Sequence, residues 1–432
     1  MERYSEYKDS GVKWLGEIPS HWEVMPLKSF IKFEKGKTPK EFSDENIGLP
    51  YLTMDYLRSR DNKIVKYPTT SIGLFKIEES EALVLWDGAN AGEFILSKKG
   101  YLGSTMAKIS GYKEYFNNLY FYYFLKMLEP TSKDFANGTT IPHFDASILI
   151  NYHYPIPPID EQIVIGSYLD AATSKIDKAI AMQQKMIDLL NERKQIIIQN
   201  AVTKGLDENV EMKDSGVEWI GMIPKHWEIE PFGKHFTFGK GLPITKANLQ
   251  EEGVAVISYG QVHAKYNLGT TLTETLVRYV SPKYLETHPQ CLLNKNDFIF
   301  ADTSEDVEGS GNFAFNDYKD KIFAGYHTVV ARPKDLIYPK YYAYLFKSRA
   351  WKSQIQSLVN GVKVYSIGKR ILKTSTLLIP SESEQKEIVK VLDLKTAAIE
   401  KSIENISHQI ALLQERKQII INEVVTGKVK VS

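Results

Sequence analysis

The chain contains one uncommon phrase twice. Residues 9–26 read DSGVKWLGEIPSHWEVMP and residues 214–231 read DSGVEWIGMIPKHWEIEP, an offset of 205. A second repeat, ERKQII, occupies residues 192–197 and 415–420, an offset of 223. The order is therefore phrase, body, helix and again phrase, body, helix, and the two bodies share little sequence. A period this long predicts two equivalent domains rather than a solenoid of short repeats.

Composition narrows the class of protein. A chain of 432 residues with 43% hydrophobic residues exceeds what one core usually serves and can bury two. The single cysteine, Cys291, excludes a disulfide framework and indicates a reducing cytoplasm. We find no apolar run of about 18 residues and no apolar signal core, so we expect a soluble, cytoplasmic protein with no membrane partner. With 54 Lys and Arg against 53 Asp and Glu, any nucleic-acid surface must be local.

Two long helices are predicted at equivalent places. The first follows a Pro-Pro pair, has Asp160 as its N-cap and stops at Gly205. Apolar residues recur at a 3/4 spacing in both helices, and the second copy keeps the register at an offset of 223, with Thr173 repeated as Thr396. The predicted seam consists of Leu169, Ile176, Ile180, Ile187, Leu190 and Ile197 in the first helix, and of Leu392, Ile399, Ile403, Ile406, Ile410, Leu413 and Ile420 in the second.

The two seams are predicted to pack on each other as an antiparallel coiled coil. Each helix should be on the order of 50–60 Å long, more than one small domain needs. The second phrase begins soon after the first helix ends, so we expect one globular domain at each end of a rod with a pseudo-twofold axis. The alternative is that each helix packs lengthwise on its own domain. Gln183, whose counterpart is Ile406, is interpreted as a polar residue that sets the register.

The two bodies are predicted to be mixed α/β. Short apolar runs at residues 81–86, 93–96, 297–300 and 327–331 are bounded by Gly and Asp and are typical of strands. The aromatic-rich stretches 115–128 and 338–351 are predicted to be buried helices, with core tyrosines rather than base-stacking ones. The fold class is therefore α/β, with two mixed domains and two long helices.

Catalytic motifs are absent from the sequence. We find no Asn-Pro-Pro-aromatic signature of an adenine methyltransferase, no Walker A loop, no HExxH and no histidine cluster at metal-ligand spacing. His21 and His226 each precede a tryptophan in the repeated phrase and are predicted to be structural. The sequence therefore favours a chain that performs no catalysis and holds no metal.

The chain resembles the specificity (S) subunit of type I restriction–modification systems over essentially its full length. The resemblance is carried by WLGEIPSHWE and WIGMIPKHWE, by PIPPIDEQ with its degenerate partner IPSESEQ, and by the helix ends ERKQIIIQNAVTKG and ERKQIIINEVVTGK. It implies two target recognition domains, each of which reads one half of a bipartite site in double-stranded DNA, and helices that set their spacing and dock methyltransferase subunits. The expected division is 1–160 and 206–383 for these domains, with 161–205 and 384–432 for the helices.

The resemblance also implies the partners and their cofactors. Two methyltransferase (M) subunits would use S-adenosylmethionine, and restriction/translocase (R) subunits would use ATP and magnesium, so that no cofactor belongs to this chain. A symmetric protein-interaction scaffold that never touches DNA is the alternative, and a nearly neutral chain would suit it.

Basic and polar clusters on predicted loops are the candidate DNA contacts, because Lys and Arg neutralise phosphates while Gln, His, Thr and Arg can reach base edges. The Asn-Gly turns at 137 and 360 share the offset of 223, which aligns the loops that follow them. The first-body candidates are Lys35, Lys37, Lys40, Arg58, Arg60, Lys98, Lys99, Thr139, Thr140 and His143; the second-body candidates are Lys240, Lys246, Gln261, His263, Lys265, Lys363, Tyr365, Lys369 and Arg370.

Overall fold

A computed structural model describes residues 2–29, 31–43, 45–59, 65–134, 142–334, 338–359, 361 and 364–431. The chain forms two compact units, Met1–Gln184 with Ser407–Ser432 and Lys185–Ile406. Both boundaries fall within the long helices, so each unit contains one body and one part of each long helix.

The first unit is mixed α/β. Its elements are β1 (Tyr7–Asp9), β2 (Glu17–Pro19), β3 (Glu23–Pro26), β4 (Lys32–Lys35), β5 (Phe42–Ser43), β6 (Tyr51–Leu52), α1 (Met54–Arg58), β7 (Tyr67–Pro68), β8 (Lys76–Ile77), β9 (Ala82–Leu85), β10 (Phe94–Leu96), β11 (Gly100–Leu102), β12 (Met106–Ser110), α2 (Asn118–Asp134), α3 (Ala146–Ile150), β13 (His153–Ile156) and the first part of α4 (Ile159–Lys204).

The second unit repeats this composition. It contains the rest of α4 and then β14 (Met212–Asp214), β15 (Met222–Pro224), β16 (Glu228–Pro231), α5 (Phe232–His235), β17 (Phe236–Lys240), β18 (Val254–Ile257), α6 (Tyr259–Val262), β19 (Arg278–Val280), α7 (Tyr284–Thr287), β20 (Phe298–Ala301), β21 (Thr303–Ser304), β22 (Phe313–Phe315), β23 (Ile322–Ala324), β24 (Thr328–Pro333), α8 (Pro339–Lys347), α9 (Arg349–Gln356), β25 (Tyr365–Ser366), α10 (Lys369–Thr374), β26 (Thr376–Ile379) and the first part of α11 (Glu382–Val425), whose remainder belongs to the first unit.

The central sheet has the same strand order in both units. In the first unit it runs β10-β9-β12-β4, and in the second β22-β20-β24-β17, with every neighbouring pair antiparallel. A three-stranded sheet accompanies each: β6-β11-β8, in which β6 and β11 are parallel, and β19-β18-β23, in which β18 and β23 are parallel. The four strands that the apolar runs predicted are β9, β10, β20 and β24. The mixed α/β prediction is confirmed.

The aromatic-rich helices are buried, as predicted, but their bounds differ. The first begins at Asn118 rather than at residue 115. Tyr115 lies in the turn before the helix and is 41% exposed. The second is broken into α8 and α9 at Ser348, whose hydroxyl accepts a hydrogen bond from Trp351 N and caps α9. Phe346 and Trp351 are fully buried in the core of the second unit, so these aromatic side chains pack rather than stack on a ligand.

The long helices end where the sequence indicated, but the prediction of Asp160 as the N-cap of the first is wrong, because the Pro158 carbonyl already accepts from Gln162 N and Asp160 lies inside the first turn. Helix α4 starts at Ile159 with Asp160 and Glu161 in its first turn, and it stops directly before Gly205. The predicted seam positions are buried or half-buried along both helices, whereas most residues between them are exposed. Each helix also packs on its own body near its start, since Leu169 and Leu392 are fully buried in the two cores.

The helices run antiparallel. In the first unit, Lys417 Nζ lies 2.7 Å from Asp177 Oδ2, and Gln183 Nε2 donates to Gln409 Oε1 at 3.1 Å. Moving forward along α4 therefore moves backward along α11. In the second unit, Lys194 Nζ lies 3.5 Å from Glu400 Oε1, which continues the same register. The polar residue at 183 thus has a polar partner, as a residue that sets the register requires.

Candidate nucleic-acid interface and its supporting frame

The repeated phrase is pinned to the first turn of the long helix by one carboxylate. In the first unit, Glu161 Oε2 accepts from the indole Nε1 of the buried Trp22 at 3.0 Å and lies 2.9 Å from His21 Nε2. The hydroxyl of Tyr4 donates to the other carboxylate oxygen of Glu161. Hydrogen bonds therefore hold the repeated phrase to the start of α4, although the two segments lie about 140 residues apart in sequence.

The second unit repeats this clamp. Glu384 Oε1 accepts from Trp227 Nε1 at 3.1 Å and lies 2.8 Å from His226 Nε2. Burial raises the pKa of Glu384, but hydrogen bonds from Ser381, His226 and Trp227 outweigh it and lower the pKa to about 2. The carboxylate is thus ionised at neutral pH. His21 and His226 have the structural role that the sequence predicted.

A matched tyrosine in each body binds the long helix. The Tyr123 hydroxyl lies 3.1 Å from Asp170 Oδ1 and 2.9 Å from Thr173 Oγ1. In the second unit, Tyr344 contacts Asp393 at 2.6 Å and Thr396 at 3.4 Å. These contacts explain why both seams carry a threonine near their start. Burial raises the pKa of both tyrosines, which therefore remain protonated donors.

Two candidate DNA-binding residues of the first unit meet at Asp87. Lys35 Nζ lies 2.7 Å from Asp87 Oδ2, and His143 Nδ1 lies 2.6 Å from Asp87 Oδ1. Asp87 follows β9 closely, Lys35 ends β4, and His143 forms an isolated β-bridge with Asp87. Burial raises the pKa of Asp87, but the hydrogen bonds from Lys35 and His143 outweigh it and hold the pKa below its usual value. The fold thus unites residues that are far apart in sequence.

Aromatic rings support this cluster. The ring centroids of Phe33 and Phe144 lie 5.7 and 5.3 Å from that of Trp86, which precedes Asp87. Lys35 Nζ lies 5.8 Å from the Trp86 ring centroid. The three polar groups therefore stand on a packed surface rather than at the tip of an unsupported loop.

Other candidates of the first unit have contacts within that unit. The ammonium of Lys98 donates to the carbonyls of Tyr56 and Ser59 at 3.0 Å, a basic group at the C-terminus of α1. Arg58 forms an ion pair with Glu93, and Lys99 lies 3.4 Å from Glu78.

Of the remaining candidates of the first unit, two are exposed and three lie outside the described residues. Lys37 and Lys40 are exposed, and Lys37 Nζ lies 5.6 Å from the centroid of the Phe75 ring. Arg60, Thr139 and Thr140 lie outside the described residues.

The candidates of the second unit also include exposed residues, residues with contacts inside the unit and one residue outside the described part of the chain. Lys240, Lys246, Lys265 and Arg370 are exposed, whereas Lys369 is half-buried with its Nζ 3.4 Å from the Phe238 carbonyl. Tyr365 is in β25, which pairs with β21. Lys363 lies outside the described residues.

Two of these side chains are used by the unit itself. His263 Nε2 donates to the Thr303 carbonyl at 2.8 Å, and its Nδ1 accepts from Asn312 Nδ2 at 3.1 Å. Gln261 Oε1 accepts from Ser258 N in a capping box at the start of α6. Both ring nitrogens of His263 and the side-chain oxygen of Gln261 are thus occupied within the unit, so the proposed interface contains neither residue.

A short match inside the bodies was missed by the sequence analysis. Residues 33–36 read FEKG and residues 238–241 read FGKG, at the offset of 205 that relates the two phrases. A Cβ on Gly36 would lie 2.2 Å from the carbonyl oxygen of Gly103, and one on Gly241 would lie 1.8 Å from that of Gly325. Both glycines are therefore required by a close backbone approach. Lys35 and Lys240, directly before them, occupy matched positions.

Two negative findings concern the described part of the chain. No group of three or more His, Cys, Asp or Glu side chains there could hold a metal ion. Within the same ranges, no helix is both long and apolar enough to cross a bilayer.

Comparison with known proteins identifies the family. The model of the type I restriction modification DNA specificity domain matches residues 19–186 and 224–408, once in each half of the chain. A protein with two such domains is a type I restriction–modification specificity protein. The chain belongs to this family.

Relatives agree over the full length. The MjaVIII specificity subunit of Methanocaldococcus jannaschii is 30% identical over 98% of this chain and 97% of its own. The putative MjaX specificity subunit of the same organism is 25% identical over 98% of both chains. A chain from a solved structure concerned with complex assembly and conformational transition of the type I R-M system has a TM-score of 0.65 and 13% identity over 95% of this chain and 99% of that one, a likeness of fold alone.

Proposed function

We propose that this chain is the non-catalytic DNA-specificity subunit of a type I restriction–modification complex. Residues 1–160 and 206–383 act as two target recognition domains, each reading one half of a bipartite site in double-stranded DNA. The segments 161–205 and 384–432 set the spacing of the half-sites. The observation that carries this proposal is the contrast between the two units: the His, Trp and Glu clamp and the Tyr–Thr contact occur in both, whereas the exposed residues of the two bodies differ. A sequence reader differs where it contacts bases and stays constant where it holds partners.

The enzymes of the complex are proposed to be separate subunits. Two methyltransferase subunits supply methyl transfer with S-adenosylmethionine, and restriction subunits supply translocation with ATP and magnesium. The single buried cysteine suits the cytoplasm, where such a complex would work.

The long helices carry a matched apolar stripe that suits two equivalent partners. Leu189 and Ile196 are 49% and 52% exposed in the second unit. Their repeat equivalents at an offset of 223, Leu412 and Ile419, are 50% and 47% exposed in the first unit. Each stripe residue directly precedes a seam residue, so the stripe is a second apolar face of the helix. We propose that one methyltransferase subunit docks on each stripe.

The proposed DNA contacts are the exposed cations around the matched FEKG and FGKG strand ends. Lys240 ends β17 and is exposed, and Lys35 ends β4 at the matched position. Lys37 and Lys40 follow Lys35 closely, while Arg370 is on α10 of the second unit. Lys37, Lys40 and Lys240 neutralise phosphate and contribute affinity without sequence preference.

Salt dependence of DNA binding tests this interface. In the assembled methyltransferase complex, Lys240→Gln should weaken binding of all sequences and reduce the slope of log K against log salt by about 0.9. The control is Lys225→Gln, an exposed lysine of the repeated phrase that lies 2.7 Å from Glu211. Unchanged affinity and slope for Lys240→Gln would remove this strand end from the interface. A complex that binds no DNA at all would favour the scaffold without DNA contact.

A further inference from the structure

The loops after β9 and β20 each form one backbone hydrogen bond at matched positions. Phe144 N donates to the Trp86 carbonyl at 2.8 Å, and Ile367 N donates to the Asp302 carbonyl at 2.8 Å. The next residues, Asp87 and Thr303, therefore occupy matched positions. Asp87 then bridges to His143, and Thr303 pairs with Ser366, the residue 223 positions after His143.

A carboxylate is not needed to hold this loop. In the second unit, the residues from Thr303 to Ser304 pair with those from Tyr365 to Ser366 in a two-residue antiparallel ladder. The same scaffold thus accepts Thr or Asp at the matched position. A position whose side chain varies on a constant backbone is where a reader can specify different bases.

The side chains of Lys35, Asp87 and His143 are in contact and differ in hydrogen-bonding character. The carboxylate, an acceptor only, lies between the Lys35 ammonium at 2.7 Å and the His143 ring at 2.6 Å. The exposed fractions of the Lys35, Asp87 and His143 side chains are 48%, 21% and 59%, so that all three are accessible from outside. Each carboxylate oxygen and the ammonium retain capacity for a further hydrogen bond.

We propose that Asp87 and Lys35 together read the major-groove edge of one base pair in the half-site of the first body. The carboxylate accepts from the exocyclic amino group of cytosine or adenine. The ammonium donates to the carbonyl oxygen of the opposite guanine or thymine. These two base atoms are hydrogen bonded to each other, about 2.9 Å apart, which matches the 2.7 Å between Lys35 Nζ and Asp87 Oδ2.

The pair therefore distinguishes the two orientations of a base pair. Reversal of the pair would place the carbonyl oxygen against the carboxylate and the amino group against the ammonium, and both contacts would be repulsive. The base on the strand read by Asp87 is thus cytosine or adenine rather than guanine or thymine. Thr303, which can donate as well as accept, imposes no such choice in the second unit.

The inference rests on the proposed function of the first body as a DNA reader, and the methylated motif tests both separately. The full chain is co-expressed with its methyltransferase subunit, and methylated positions are sequenced for the wild type, Asp87→Asn and Asp87→Thr. The control is Glu78→Gln, which removes a carboxylate paired with Lys76 at 2.8 Å and Lys99 at 3.4 Å in the same unit. Thermal unfolding of each variant verifies that the first unit is folded.

The expected result is a change confined to one position. Both Asp87 variants should keep the second half-site and the gap, and lose roughly 5- to 150-fold of the preference at one base of the other half-site. The base at that position of the wild-type motif, cytosine or adenine, identifies the amino group that Asp87 contacts. A folded Asp87→Thr with the original motif, or uniform weakening at all sequences, would overturn the inference. A wild type without a two-part motif would instead refute the proposed function.

Discussion

Replacement of Glu384 by glutamine should loosen the second unit in a manner that depends on pH. The carboxylate accepts from Trp227 Nε1 and His226 Nε2 and holds the repeated phrase on the first turn of α11. Its pKa is lowered from the ordinary 4.5 to about 2. The difference, at about 1.36 kcal/mol for each pKa unit, sets an upper limit of about 3 kcal/mol on the stabilisation.

Solvent screening reduces this limit. About a third of the Glu384 side chain is exposed, 32%, so we expect Glu384→Gln to lower the free energy of unfolding of the second unit by about 1–2 kcal/mol at pH 7. Because the folded-state pKa is depressed, the stabilisation is full above about pH 4.5 and is lost as the pH falls toward about 2. The difference between wild type and variant should shrink over this window.

Urea denaturation followed by tryptophan fluorescence measures the effect, and hydrogen exchange in β16 assigns the transition to the second unit. The matched control is Glu382→Gln, on the same helical turn, whose partner is Lys386 at 2.5 Å in an exposed i,i+4 pair; it should change stability by less than about 0.5 kcal/mol. Equal effects of the two variants, or a difference that does not change with pH, would refute this reasoning.

Three further predictions concern the helices and the strand ends. Insertion of one heptad in both long helices keeps the seam and lengthens each by about 10 Å, so the gap in the methylated motif should grow by about three base pairs; an unchanged gap would exclude the helices as the determinant of spacing. Leu189→Ser with Ile196→Ser should abolish docking of one of two methyltransferase subunits in native mass spectrometry while the thermal midpoint stays within a few degrees; retention of both subunits would exclude the stripe. Gly241→Ala should destabilise the second unit by more than about 2 kcal/mol in urea denaturation, since its Cβ would lie 1.8 Å from the carbonyl oxygen of Gly325. The control Gly260→Ala, whose Cβ would have nothing within 4 Å, should be neutral or stabilising. Equal effects of the two variants would contradict the close backbone approach at Gly241.

The supporting frame, which consists of the repeated phrase and the two long helices, could be predicted because its sequence occurs twice in the chain. Phrase, helix bounds and register follow from matched spacing, and the antiparallel direction follows from the short connection after the first helix. The threonines at 173 and 396 were visible as a repeat, but their partners, Tyr123 and Tyr344, were not. These tyrosines lie in the bodies at an offset of 221, which neither repeat shares.

The candidate interface was predictable only in part. Residue type selected His263 and Gln261 as readers, yet hydrogen bonds within the unit occupy both, and only tertiary structure could reveal this. Asp87 was missed because strand pairing, not sequence proximity, brings Lys35 and His143 to it. The match of FEKG with FGKG at the offset of 205 was the available signal, since it locates Lys35 and Lys240 on equivalent strand ends.

The methylated motif of a cell that carries this chain and its methyltransferase subunit tests the central claim most directly. Single-molecule sequencing of its DNA should reveal one motif with two specified parts separated by a fixed number of unspecified base pairs. Loss of the chain should abolish methylation of both parts. A contiguous motif, or methylation that persists without this chain, would contradict the assignment of one half-site to each body.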